Sequence, residues 1–408
     1  MLGMDDQVST ITGASASLGV ALALCAVSGV MAAGVLVPIM PEIFKEYRGI
    51  PNASFWIPAL VTIPGLCSAI LSPLAGHFGD RIGAKWPIVI CLCLYATLGM
   101  MPIVLHNFQY ILLSRIGLGV VLVGVLMLSI VLIGQQFEGV ARDRWLGMQA
   151  VAVTASGLVL LPASGFLAES AMGWRGSFLI FLSALVLAAF LASRPVRAHR
   201  DGRHDHSAPA GLPWRWLLGQ CLVTIVVGVL LFSTQFQLGL ALSTVGVRDV
   251  GTIGLLSGIA VVGLLIGSTL FMRAKRLLGR AALGIEMAAC GVTLLLMWQF
   301  QSVTVLVVLA FVNLFAAGLM LPTLITTVAG GLPHQVRGRG MGIWNSAFTL
   351  AQFVSSALIG IVLGYPGGTV LDAFGLLGVA ALLVSGVLIM THRGQPDQHA
   401  TGVGAAAV

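Results

Sequence analysis

Apolar runs long enough to cross a bilayer recur along the whole chain, roughly at residues 18–40, 55–78, 86–105, 110–134, 146–168, 177–193, 216–241, 251–272, 281–300, 303–328, 341–364 and 370–391. A hydrocarbon core about 30 Å thick takes about 20 helical residues at 1.5 Å each. An open strand would leave its N–H and C=O groups unpaired in lipid, so each run is expected as a helix. The fold class that follows is an all-α membrane protein with twelve transmembrane helices. Composition agrees: 58% of the 408 residues are apolar and 9% charged, whereas a soluble domain carries about 25% charge.

The net charge of +7 is scattered between the runs and forms no patch, so nucleic acid is not expected as a partner. All six cysteines (Cys25, Cys67, Cys91, Cys93, Cys221, Cys290) fall inside apolar runs without zinc-site spacing. They read as small buried side chains, and neither a metal nor another cofactor is expected. Basic residues set the orientation. With the N-terminus inside, sixteen of the 21 Lys and Arg face the cytoplasm, four face outward and Arg115 lies within a span. Both termini are therefore expected in the cytoplasm, and the protein in the cell membrane. The first residues hold two acids and no base, so the first run reads as a retained span and not a cleaved signal.

The chain divides into a tail (1–17), six spans (18–193), a linker rich in Arg, His, Gly and Pro (194–215), six further spans (216–391) and a second tail (392–408). The two sets of six are related. Arg142-Asp143-Arg144-Trp145-Leu146-Gly147 returns 195 residues later as Arg337-Gly338-Arg339-Gly340-Met341-Gly342, and Gly165 and Gly360 share that offset. Gly83 and Gly279, and Phe178 and Phe374, lie 196 apart. Several matches at one offset indicate an internal repeat.

Between the second and third runs stands Gly76-His77-Phe78-Gly79-Asp80-Arg81-Ile82-Gly83-Ala84-Lys85. Its pattern, G-x-x-x-D-R-x-G-x-K, resembles the loop between helices 2 and 3 of the major facilitator superfamily of secondary transporters. The resemblance implies two six-helix pseudo-repeats related about the membrane normal. It also implies a gate made by Gly76, Gly79, Asp80, Arg81, Gly83 and Lys85, with Arg81 facing Glu138 at the end of span 4. In this reading Asp80 latches the halves by meeting the N-terminus of span 11 near Met341, where a carboxylate is stabilised by ~0.3–1 kcal/mol, or ~2 if partly buried. The second half carries Arg276 at the matching place, so the latch is one-sided.

The stretch Leu112-Leu113-Ser114-Arg115-Ile116-Gly117-Leu118-Gly119 resembles the family's R-x-x-Q-G motif, with Leu118 in place of glutamine. Arg115 is expected ~7 Å inside the outer end of span 4. In exporters of the family such an arginine assists a carboxylate of span 1 in exchanging its proton; the nearest acid here is Glu42. Glu42 and Arg115 thus read either as a proton-coupling pair or as a structural ion pair. Gly157-Leu158-Val159-Leu160-Leu161-Pro162-Ala163-Ser164-Gly165 is either a degraded exporter motif or an ordinary Gly/Pro kink. Gly173-Trp174-Arg175-Gly176-Ser177-Phe178 also looks family-like, with Trp174 in the interfacial belt.

Few polar side chains remain inside the membrane. Asn345, Thr349, Gln352 and Ser356 share one face of span 11, Asn313 is central in span 10 and Gln235 is deep in span 7. They either line a cavity or bond across helix interfaces. Gln235, Asn313, Asn345, Thr349 and Gln352 are taken as the substrate-binding set, while Glu286 in span 9 is an acid without an assignable partner. No nucleophile–base constellation points to an enzyme. The expectation is a monomeric carrier of a small amphipathic organic solute, working by alternating access with proton-coupled efflux. The alternatives are an uptake carrier or facilitator for an organic anion, and a non-transporting receptor with a transporter fold.

Overall fold

The computed structural model describes residues 16–75, 84–195, 211–333 and 336–393. Among them are twelve helices long and apolar enough to cross a membrane. They are α1 (Ala16–Tyr47), α2 (Ala53–Leu71), α3 (Lys85–Ile103), α4 (Phe108–Gln136), α5 (Gly139–Ala168), α6 (Gly173–Ser193), α7 (Trp214–Thr244), α8 (Val250–Leu278), α9 (Ala282–Gln299), α10 (Val303–Gly331), α11 (Arg337–Leu363) and α12 (Val370–Met390).

The two helices that extend furthest past one end of their apolar runs, by seven residues each, do so for local reasons. Helix α1 runs on past residue 40 through Pro41 to Tyr47, so Glu42 lies inside it and not beyond its end. The helix steps at Val35, because Pro38 has no N–H to offer Gly34 and the ladder breaks there. Helix α5 begins at Gly139, a full two turns before its apolar run. Arg142, Asp143 and Arg144 are good or tolerable helix residues that hydropathy does not register. Glu138 consequently sits exposed at the N-cap of α5 rather than on α4.

The internal repeat is visible in the packing. Helix α4 packs on α2 and α3 as α10 packs on α8 and α9; α3 packs on α6 as α9 does on α12; α1 packs on α5 as α7 does on α11. Even a tether recurs. Gln149 of α5 donates through Nε2 to the Leu22 carbonyl of α1 at 3.0 Å and to Ser129 Oγ of α4 at 3.1 Å. Trp344, at the equivalent place in α11, donates through Nε1 to Thr224 Oγ1 of α7 at 2.7 Å.

The halves meet through α2 with α11 and α5 with α8, joined by α1 with α7. One membrane face carries the α6–α7 connection and is called the near face; the opposite one is the far face. The cross-half approaches run from Ser54, Gly364, Glu169 and Val250 at the far face down to Gly65, Gly157 and Gln352. Gly65 and Gly157 lie ~16–18 Å from the far ends of their helices, which is about mid-membrane.

Candidate functional site

The seam between the halves is built on small residues. A Cβ on Gly165 of α5 would come within 2.7 Å of the Val250 carbonyl oxygen on α8. A Cβ on Gly360 of α11 would lie 2.9 Å from both Phe55 Cα and the Ser54 carbonyl oxygen of α2. These are the two glycines that share the repeat offset, and each lets a helix of one half lie backbone-to-backbone on the other half. Without water in the membrane, such close packing is the main attraction available between helices. Phe55 adds an edge-on contact to Phe353 across the same seam, with ring centroids 6.4 Å apart.

At the inner end of this seam, Gln352 reaches across to Gly65 of α2. Thr349 and Asn345, one and two turns nearer the near face, are half-buried like Gln352 and like Gln235 on α7. An aromatic wall runs beside them: Trp344 stacks on Phe348 at 5.9 Å, Phe348 meets Phe232 at 5.1 Å, and Phe232 stacks on Phe236 at 5.1 Å. Ser356 is not part of an open stripe. It is buried and accepts from Gln237 Nε2 at 3.4 Å, a buried amide of α7 that the sequence reading missed. Gln237 lies two residues from Gln235, so the α7 polar pair was the available signal.

Asn313 requires correction as a cavity residue. It is fully buried, donates through Nδ2 to Thr293 Oγ1 at 2.8 Å and to the Cys290 carbonyl at 3.1 Å, and accepts from Thr234 Oγ1 at 2.8 Å. Cys290 Sγ donates back to the Asn313 carbonyl at 3.5 Å. Both ends of the amide are occupied by α7 and α9, so Asn313 is a clasp inside the second half.

Glu42 and Arg115 are not brought together. Glu42 pairs with Lys45 on its own helix at 3.7 Å. Arg115 is fully buried and lies over the rings of Phe178 and Phe181, 4.8 and 5.4 Å from their centroids. Its Nη2 donates to the Gly99 carbonyl at 3.4 Å, while Nε and Nη1 have no hydrogen-bond partner among the described residues. Aromatic faces take the place of a carboxylate, because Phe178 and Phe181 fall on one side of the opening turns of α6 and Gly99 leaves room for Phe181. The family-like segment at Trp174 has a different acid partner. Glu46 accepts from Trp174 Nε1 at 2.7 Å and pairs with Arg175 at 2.8 Å, fixing α6 to the end of α1.

A second acid that sequence reading missed closes the far seam. Glu169, just beyond α5, accepts from the Gly251 N–H of α8 at 2.9 Å. Asp249 caps the same helix, accepting from Thr252 N at 2.8 Å and from the Thr252 hydroxyl. The Asp249 carboxyl hydrogen-bonds Glu169 and raises it above the usual carboxylate range, against the Gly251 N–H, which lowers it. The Thr252 hydroxyl holds Asp249 below that range. Glu286 is 2% exposed, and neither of its oxygens has a partner among the described residues. Of the gate, Lys85 donates to the Arg194 carbonyl at 2.7 Å, whereas Gly76, Gly79, Asp80, Arg81 and Gly83 lie outside the described residues. Among the described residues no group of His, Cys, Asp and Glu is arranged to hold a metal ion.

Comparison with known proteins agrees with this architecture. The Major Facilitator Superfamily pattern matches residues 22–285. The chain is 27% identical over 216 residues to the quinolone resistance protein NorA of Staphylococcus aureus (strain MRSA252), covering 50% of this chain and 54% of that protein. The chain thus spans about half the length of that relative. It is 25% identical over 363 residues to the gentisate transporter of Corynebacterium glutamicum (strain ATCC 13032), covering 82% and 78%. In fold it is similar to a bacterial homolog of the human lysosomal transporter Spinster, solved in an inward-facing and unoccupied conformation (TM-score 0.68, 14% identity, 93% and 95% covered). The D-xylose-proton symporter is a second such neighbour (TM-score 0.65, 17% identity, 92% and 97% covered).

Proposed function

The chain belongs to the major facilitator superfamily, and from that premise we propose that it exports a small amphipathic organic solute by alternating access, coupled to protons. The observation that carries alternating access is the polarised seam: the halves approach backbone-to-backbone from the far face to mid-membrane through Gly165 and Gly360. With the termini in the cytoplasm, this is the state closed to the outside. Asp80 is the proposed latch of the opposite state.

The character of the mid-membrane wall supports an amphipathic solute. It offers the half-buried ring of Phe348, backed by the buried Trp344 and Phe232, and three half-buried amides, Gln235, Asn345 and Gln352, beside Thr349. That suits stacking and one or two hydrogen bonds, and not a polyol that needs many fixed partners. The NorA likeness favours export; the gentisate transporter likeness, over more of the chain, favours an organic acid as the second reading. Proton coupling requires a carboxyl whose surroundings change between states. Glu42 with Arg115, which this state holds apart, is one proposed site, formed only if the opposite state brings the two together. Glu286 is the other, because an unpaired carboxylate in an apolar bundle is costly unless the helices around it rearrange.

The deciding measurement is transport in liposomes with and without an imposed pH gradient. A lipophilic dye and an aromatic carboxylic acid are offered in parallel, and both are then tested with Glu42→Gln and Glu286→Gln. Gradient-driven dye movement that one of these variants abolishes, with exchange of labelled for unlabelled dye intact, supports coupled export. Movement of the acid alone supports the second reading. If neither solute crosses, the transport reading of this wall is wrong.

A further inference from the structure

The first half carries an apolar groove on its own flank, between α1 and α6. Its volume is about 550 Å³, and Ser17, Leu24, Met31, Ser183, Val186 and Phe190 mark its walls. Ser17 to Met31 is ~21 Å of helix, against ~15 Å for one leaflet of a 30 Å hydrocarbon core. The groove therefore runs from the near face to about the middle of the membrane. Its deep end is closed where Ser183 Oγ meets Met31 Sδ at 3.6 Å. Val186, on its rim, is 71% exposed, and α6 packs chiefly on α3 and α5 of its own half. The groove thus lies away from the seam.

The shallow end is cationic. The Arg194 guanidinium lies over the ring of Phe190, a wall residue, at 4.7 Å. Lys85 reaches the same corner and donates to the Arg194 carbonyl at 2.7 Å. Neither cation has an ion pair among the described residues, where the two pairs are Glu42–Lys45 and Glu46–Arg175. One end of a leaflet-deep apolar groove thus presents, at headgroup depth, two cations without an ion pair among the described residues. We propose that the α1–α6 groove is a resident site for an anionic phospholipid, with one acyl chain in the groove and its phosphate at Arg194 and Lys85. The three parts fit one molecule: a chain-length slot, a closed apolar floor and a positive mouth. Two cations near the surface favour an anionic headgroup by roughly 5-fold each, about 30-fold together.

The test is native mass spectrometry of the full chain released from micelles holding phosphatidylglycerol and phosphatidylcholine in equal amounts. One phosphatidylglycerol is expected on the wild type, in excess over phosphatidylcholine by about 10-fold or more. Arg194→Gln should cut that preference about 5-fold and Arg194→Lys should keep most of it. Val186→Trp, which places a ring in the groove, should remove both lipids while leaving the thermal midpoint near wild type. Three results would overturn the proposal: no headgroup preference in the wild type, full phosphatidylglycerol retention by folded Val186→Trp, or displacement of the lipid by glycerol phosphate, which would mean an anion site without a chain. Competitive displacement by the transported dye would make the groove a solute path and overturn it as well.

Discussion

Asn313 and Arg115 are both polar groups deep in the membrane, and their surroundings give them different roles. Asn313 satisfies three side-chain hydrogen bonds to α7 and α9. Such bonds average ~0.6 kcal/mol each in a membrane, up to ~1.7. Asn313→Ala should therefore lower stability by ~1–3 kcal/mol, seen as a fall in thermal midpoint, with KM for the transported solute unchanged. A several-fold rise in KM at unchanged stability would return Asn313 to the substrate site. Arg115 instead keeps two donors unpaired and stacks on Phe178 and Phe181. Burying an unpaired charge costs several kcal/mol, more than two ring contacts of ~0.5–2 each restore. Arg115→Met is therefore expected to hold or raise the thermal midpoint while transport falls. A lower midpoint with full transport would make Arg115 a structural residue only.

On the proposed alternating access, helix pairs carry the conformational change. A methyl group on Gly360 meets α2 backbone at 2.9 Å, and no side-chain rotation relieves that clash. Gly360→Ala should shift the population away from far-face closure by roughly 5–150-fold, as overpacking of this kind costs ~1–3 kcal/mol. Spin labels near the far ends of α2 and α11 would report longer distances; unchanged distances would show that the seam is not set by these backbone contacts. The α5–α8 seam adds a pH term that the α2–α11 seam lacks, since Ala53 and Gly364 stand where Asp249 and Glu169 do. Glu169 is raised above its ordinary value in the closed seam. Closure by this group is therefore fully present below the usual glutamate value of about 4.3 and is lost as pH rises through the raised value. Asp249 is lowered, so its cap on α8 persists until pH falls through that lowered value. The charges on neighbouring elements (Glu42–Lys45, Glu46–Arg175, Arg48 and Arg248) make no ion pair with Glu169 among the described residues. Far-end α5–α8 distances should lengthen as pH rises above the carboxylate range. In Glu169→Gln they should stay short at every pH, and a pH response persisting in that variant would exclude Glu169.

Over the whole molecule, orientation decides what the polarised seam means. Sixteen of the 21 basic side chains fall on one side of the twelve-span reading, and the near face is on that side. A reporter active only in the cytoplasm, fused after Gly202 or after Gln398, should be active at both places. Inactivity at one site alone would overturn the twelve-span count, and inactivity at both would turn the closed face toward the cytoplasm and reverse the proposed direction of opening. If the orientation holds, Asp80→Asn should weaken the opposite closure. Losing ~1–2 kcal/mol shifts the two states by roughly 5–30-fold, measurable with labels at the near ends of α2 and α11.

The twelve helices, the duplication and the family were legible because they rest on local quantities. Run length against bilayer thickness and a repeated offset survive in one dimension, and the pairing of Gly165 with Gly360 was already written in that offset. The site was less legible, since a helix face has a direction only once its neighbours are in place. Asn313 and Gln352 look alike along the chain; one is enclosed by α7, α9 and α10, and the other meets α2 across the seam. Arg115 suggested a carboxylate because sequence shows charge signs and not ring faces. Glu169 and Asp249, 80 residues apart at helix ends, become neighbours only when the two halves close on each other.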